Sequence, residues 1–121
     1  MTAVDPYIRR IRPVRVYDGD TITVDVDLGY GVTSRHSIRV LGVNCPELRS
    51  GDDREAGLAA RMFTVGWIDA AVARATDAEW PLLMRSEKAD KYGRYLGDVY
   101  TYRDEHLTPA LLDSGNGVPY P

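Results

Sequence analysis

The sequence predicts an α+β fold that is mainly β: a five-stranded Greek-key barrel with one long and one short helix packed outside. Three observations carry this expectation. Stretches of two-residue apolar alternation follow one another over the first forty residues with short links between them. After a polar loop comes one long segment whose apolar residues repeat at three and four. Two more strand-like stretches and a shorter helical one complete the chain. At 121 residues the chain has the length of one domain, enough to bury a core without disulfides or a structural metal.

The elements follow in order. Residues 7–17, YIRRIRPVRVY, set Ile8, Ile11, Val14 and Val16 among basic residues: a half-buried strand that Pro13 bends or places at an edge. Residues 21–28, TITVDVDL, put Ile22, Val24, Val26 and Leu28 on one face and Thr and Asp on the other. GYG at 29–31 is a turn, and SRHSIRVLGV at 34–43 is a third strand with an apolar end. The polar NCPELRSGDDRE then leads into a helix over 53–75. Asp53 is its expected N-cap, Glu55 lies in its first turn, and Ala59, Met62, Phe63, Gly66, Trp67 and Ala70 form its core-facing stripe. WPLLMRS at 80–86 and YLGDVYTY at 95–102 are strands joined by the charged turn EKADKYGR. In LTPALLDSG, Thr108 is the expected N-cap, Pro109 the first helical residue and Gly115 the stop. Closing the sheet removes most of its exposed edges, and this order of elements suits an OB-like barrel.

Composition narrows the function. The net charge is −3, so no global positive field gathers polyanions. Residues 1–49 hold seven Arg against six acids and residues 50–121 hold eight basic residues against twelve acids, so any nucleic-acid site is local. MTAVDPYIRR lacks the apolar centre of a signal peptide, and no apolar run approaches membrane-spanning length. A soluble cytoplasmic protein is expected, unless export takes another route. The single cysteine, Cys45, has no internal disulfide partner, which suits a reducing compartment. His36 and His106 are expected at the surface, since neither sits at a metal-ligand spacing.

Three stretches combine residue types that carry chemistry. In DGDT, Asp18 to Thr21, Asp-Gly is a strong hairpin-turn signal, yet two carboxylates on one side of a bend also suit a hard divalent cation. In RVLGVNCPE, Arg39 interrupts an apolar strand and Glu47 follows Pro46. The two form either a simple salt bridge or a phosphate clamp with a general base. In DKYGR, Asp90 to Arg94, a charged turn bends at Gly93 and projects Arg94 from the head of the last barrel strand.

Taken together and in this order, VYDGDT, RVLGVNCPE and DKYGR resemble the staphylococcal (micrococcal) nuclease family, whose fold is a thermonuclease-like OB barrel. The likeness runs from about Val14 to Tyr120 and includes the step from Arg39 to Glu47. It implies a single nuclease-like domain over 1–121 and a calcium-dependent endonuclease that cleaves DNA and/or RNA with little sequence preference. Manganese or magnesium is the alternative metal. By the resemblance, Asp20 is a metal ligand, Asn44 stands where the family has a second ligating aspartate, and Cys45 replaces a threonine that ligates through its backbone carbonyl. Glu47 is the general base, and Arg39 and Arg94 hold the phosphate oxygens. Lys91 and Tyr92 lie beside the nucleotide, Tyr120 borders the base pocket, and Asp18 braces the loop behind the ligands. Asn44 removes one formal charge, which predicts weaker calcium binding. The resemblance also implies a domain without the further C-terminal helix of longer relatives. The competing reading is a non-catalytic OB-type module that binds nucleic acid or a protein partner, for which the eight tyrosines offer stacking surfaces. Arg39, Glu47 and Arg94 together favour the enzyme, because binding alone needs no base.

Overall fold

A computed structural model describes residues 5–48, 54–89 and 93–120. The chain runs β1 (Ile8–Asp18), β2 (Thr21–Asp27), β3 (Thr33–Val40), β4 (Val43–Asn44), α1 (Arg54–Arg74), β5 (Leu82–Ala89), β6 (Tyr95–Tyr100), α2 (Leu107–Asp113) and β7 (Val118–Pro119). Five strands close a barrel in the order β1-β2-β3-β6-β5, and β4 and β7 pair separately. Neighbours in the barrel are antiparallel except β3 and β6, whose parallel contact closes it. This is the mainly β, OB-like architecture expected from the alternation.

Closure depends on β1. Its first residues, Ile8 to Ile11, pair with β5, and Ile11 to Asp18 pair with β2. Irregularities between Pro13 and Arg15 and between Val16 and Asp18 bend the strand so that it serves both neighbours. Ile11, Ile22, Val24, Ile38, Leu82 and Val99 are almost fully buried and fill the interior. Leu107 and Leu111 of α2 join the same core.

Several local expectations are corrected. The third strand stops at Val40, because Gly42 turns the chain at φ +81° and Val43–Asn44 pair with β7 instead. Leu28 lies past the end of β2 and is exposed. On α1 the buried face is Gly57, Ala60, Thr64, Ile68 and Ala71, while Met62 is exposed and Ala59, Gly66 and Ala70 face outward. Small residues win there because the β1–β2 bend and the loop after β4 press their backbones against the helix. Thr64 Oγ1 donates to the Gly19 carbonyl at 2.6 Å. A Cβ on Gly19 would stand 2.9 Å from Ala60 Cβ, and one on Gly57 would stand 2.7 Å from the Glu47 carbonyl carbon. α1 is long and apolar enough by composition to cross a membrane, contrary to the reading of its apolar runs; here one face lies on the barrel.

The cap of α2 also differs. His106 is the N-cap and makes no side-chain cap bond, while Thr108 sits inside the helix and donates to the Leu41 carbonyl at 2.6 Å. Gly115 does end that segment, at φ +79°. Both histidines are half-buried and engaged. His36 contacts Ser34 and the edge of Tyr95, and His106 stacks on Tyr100 and pairs with Asp98 at 2.9 Å. The expected N-cap Asp53 lies outside the described residues.

Candidate active site

The bend between β1 and β2 carries Asp18 and Asp20 to one end of the barrel, where β3 ends and β4 begins. Both carboxylates accept backbone N–H groups from the segment after β4. Asp20 Oδ2 accepts from Cys45 N–H at 2.7 Å, and Asp18 Oδ1 accepts from Leu48 N–H at 2.9 Å. Glu47 lies between these two anchors, at the exposed rim. Val40 N–H donates to the Asp20 carbonyl at 2.8 Å, so the end of β3 is tied to the same bend. Gly19 does not adopt a positive φ. Its requirement is the close approach to α1, and that approach seats the bend.

Arg39 is the hub. It is 9% exposed and Asp20 is 5% exposed, so their charges meet away from bulk water. Arg39 Nη1 lies 3.3 Å from Asp20 Oδ2 and donates to the carbonyls of Val40 at 3.0 Å and Val43 at 2.8 Å. Nη2 donates to Asn44 Oδ1 at 3.1 Å. The Tyr120 ring lies 5.2 Å from the guanidinium, within cation–π range. Tyr120 is held there because β7 pairs with β4 and its own N–H donates to the Gly42 carbonyl. The hydrogen bonds that hold Arg39 thus run from its two Nη atoms.

Arg94 reaches the same end from the start of β6. Its Nη1 contacts Thr21 Oγ1 at 3.4 Å, and the Thr21 hydroxyl lies 3.2 Å from Asp20 Oδ1. The structure thus gathers Asp18, Asp20, Arg39, Asn44, Cys45, Arg94 and Tyr120 around one rim, with the backbone of Glu47 between them. Lys91 and Tyr92 lie outside the described residues. Sequence reading missed Thr21 as the bridge between Arg94 and Asp20. It also missed Gly57, whose bare Cα lets α1 seat the Glu47 carbonyl. The one signal for Gly57 was a glycine near the start of an otherwise helical run.

The thiol of Cys45 is buried, and burial together with the nearby Asp20 charge pushes its pKa up to about 12. It is not a nucleophile at neutral pH. Among the described residues no three His, Cys, Asp or Glu side chains group into a metal cage. The oxygens at hand are the Asp20 carboxylate, Asn44 Oδ1 and the Cys45 carbonyl. By type these fit a hard cation such as calcium, manganese or magnesium. They bring a single formal charge, and the Arg39 guanidinium already engages Asp20 and Asn44.

The family model for staphylococcal nuclease homologues matches residues 37–120. The chain belongs to the staphylococcal nuclease family. Members of this family are generally nucleases, and their domains bind nucleic acids. The matched span covers Arg39, Asn44, Cys45, Glu47, Arg94 and Tyr120, whereas Asp18 and Asp20 precede it. The contacts from Asp20 to Cys45 and Arg39 and from Asp18 to Leu48 join that earlier bend to the matched region. No curated protein matches the chain.

Proposed function

We propose that this protein is a metal-dependent phosphodiesterase that hydrolyses DNA and/or RNA with little sequence specificity. The observation that carries the reading is the rim itself: a buried arginine bound to Asp20 and Asn44, a second arginine that reaches the same aspartate through Thr21, and a glutamate whose flanking backbone is clamped by two aspartates. A phosphodiester carries one negative charge, and attack by water builds more on its non-bridging oxygens. Arg39 and Arg94, held in place before reaction, favour that developing charge over the ground state. In this reading Glu47 is the group that takes the proton of the attacking water; a general base contributes roughly 10²–10⁴ in rate. Asp20, Asn44 Oδ1 and the Cys45 carbonyl would hold the cation, calcium in the first instance. When bound, it supplies charge neutralisation at the phosphate and orders the water. The Tyr120 ring, 5.2 Å from the Arg39 guanidinium, helps hold its orientation and would border the base.

The test is cleavage of single-stranded and duplex DNA and of RNA with calcium, with manganese and with chelator, in the wild type and in Glu47→Gln. The reading expects metal-dependent scission that falls by roughly 10²–10⁴ in Glu47→Gln. Scission undiminished in that variant removes Glu47 as the base. Binding without scission under every metal condition replaces the enzyme with the binding module.

A further inference from the structure

Away from the barrel, α1 carries a second stripe. Leu58, Met62, Val65, Asp69 and Val72 follow one another at steps of four, three, four and three residues, the spacing of a seam between two helices. Leu58 is 44% exposed and Met62 54%; Val72 is exposed as well, and Val65 lies half-buried at the edge of the core. A groove between β1 and α1, lined by Val14, Val65 and Ile68, runs beside the stripe. A helix with a further apolar stripe in this pattern normally packs it on another helix.

The residues of the stripe are placed symmetrically about Val65. Arg61, on its flank, and Asp69 stand four residues to either side, and Leu58 and Val72 stand seven. Arg61 gives its Nε to the Val16 carbonyl at 3.1 Å. It meets no acid among the described residues, and Asp69 meets no base. The two lie about 12 Å apart along the helix axis and are not paired with each other. A second α1 laid antiparallel across Val65 supplies both with partners. Arg61 of one copy comes level with the partner's Asp69, Asp69 with the partner's Arg61, and Leu58 with the partner's Val72. Such reciprocity is the mark of the isologous contact in a two-fold dimer.

We infer that this protein forms a two-fold dimer through α1, with the two helices antiparallel and crossing at Val65. The occupant of the seam is a second copy because the stripe is complementary to itself in both charge and apolar spacing. Helices packed with this spacing cross at a shallow angle, about 20°, so the contact follows α1 for about four turns. The proposed chemistry at the rim uses none of these side chains, and the dimer does not rest on the nuclease reading.

The test is sedimentation velocity of the full chain over a concentration series, with a melting curve for every variant. The wild type should move toward twice the 13.5 kDa of one chain as concentration rises. Met62→Lys sets a charge in the seam and should weaken association by about tenfold or more. Arg61→Asp and Asp69→Arg each bring like charges together across the two-fold, so each alone should be monomeric. Mixed in equal amounts the two should pair, because every charge then meets its opposite. Val65→Cys should give a covalent dimer on mild oxidation, since Cys45 is buried. A wild type that stays monomeric throughout overturns the inference, and pelleting of that monomer with phosphatidylglycerol vesicles would assign the stripe to lipid. A dimer that persists in folded Met62→Lys and Asp69→Arg also overturns it, as do folded charge variants that fail to pair on mixing. Should Arg61→Asp not fold, Met62→Lys and Val65→Cys decide.

Discussion

Cys45 places a thiol against a carboxylate inside the fold. Burial and Asp20 raise its pKa from 9.0 to about 12, so the folded chain keeps the proton that the unfolded chain releases. This contribution to stability is complete below pH 9 and is lost as pH rises toward 12. At pH 8.5 iodoacetamide should leave the folded protein unlabelled and alkylate it rapidly in denaturant, as read by mass spectrometry. Rapid labelling of the folded chain would contradict the buried, protonated thiol. Its neighbour Asn44 spends its side-chain oxygen on Arg39. Asn44→Asp adds a carboxylate where a cation and a guanidinium both benefit. Calcium affinity by titration calorimetry should therefore rise, roughly tenfold or more, since affinity follows ligand charge. Equal or weaker binding in the variant would count against Asn44 as a ligand.

At the scale of elements, α1 meets the barrel through small residues because two backbones cross it. In an ordinary helix interior, Gly→Ala stabilises by roughly 1 kcal/mol. At Gly57 the sign reverses, since the new methyl would overlap the Glu47 carbonyl. Gly57→Ala should destabilise by about 1–3 kcal/mol in urea denaturation and lower cleavage, because the displaced segment carries Glu47. The stripe predicted from three- and four-residue spacing includes Phe63 and Trp67, which do pack against the core, and Met62 and Ala70, which face outward. Apolar periodicity reports which face avoids water; it does not report which face must be thin. The second helix was found, but its cap was misplaced, because the Thr108 hydroxyl is taken by the Leu41 carbonyl of a neighbouring turn.

At the scale of the whole molecule, three barrel strands are joined across their outer face by one carboxylate. The Arg35 and Arg12 hydrogen bonds hold the Asp25 pKa down, from 3.8 to about 2. A depressed carboxylate stabilises the fold above pH 3.8, and the benefit fades as pH falls through about 2. In Asp25→Asn the melting temperature should be lower at pH 7 and fall less between pH 4 and 2 than in the wild type. Parallel wild-type and variant profiles over that interval would show that the strand-bridging carboxylate does not shape acid stability.

Alternation, turn glycines and charge spacing are properties of neighbours in the chain, and by themselves they determined five barrel strands, two helices and the short motifs DGDT, RVLGVNCPE and DKYGR. Only the tertiary structure decided how those motifs meet. Asp18 and Asp20 grip the N–H groups of Leu48 and Cys45, Tyr120 covers Arg39, and Thr21 links Arg94 to Asp20. These contacts join segments 25 to about 80 residues apart in the chain. They exist because barrel closure and the bare Cα atoms of Gly19 and Gly57 bring the backbones into reach, and distance across a fold leaves no period in a sequence.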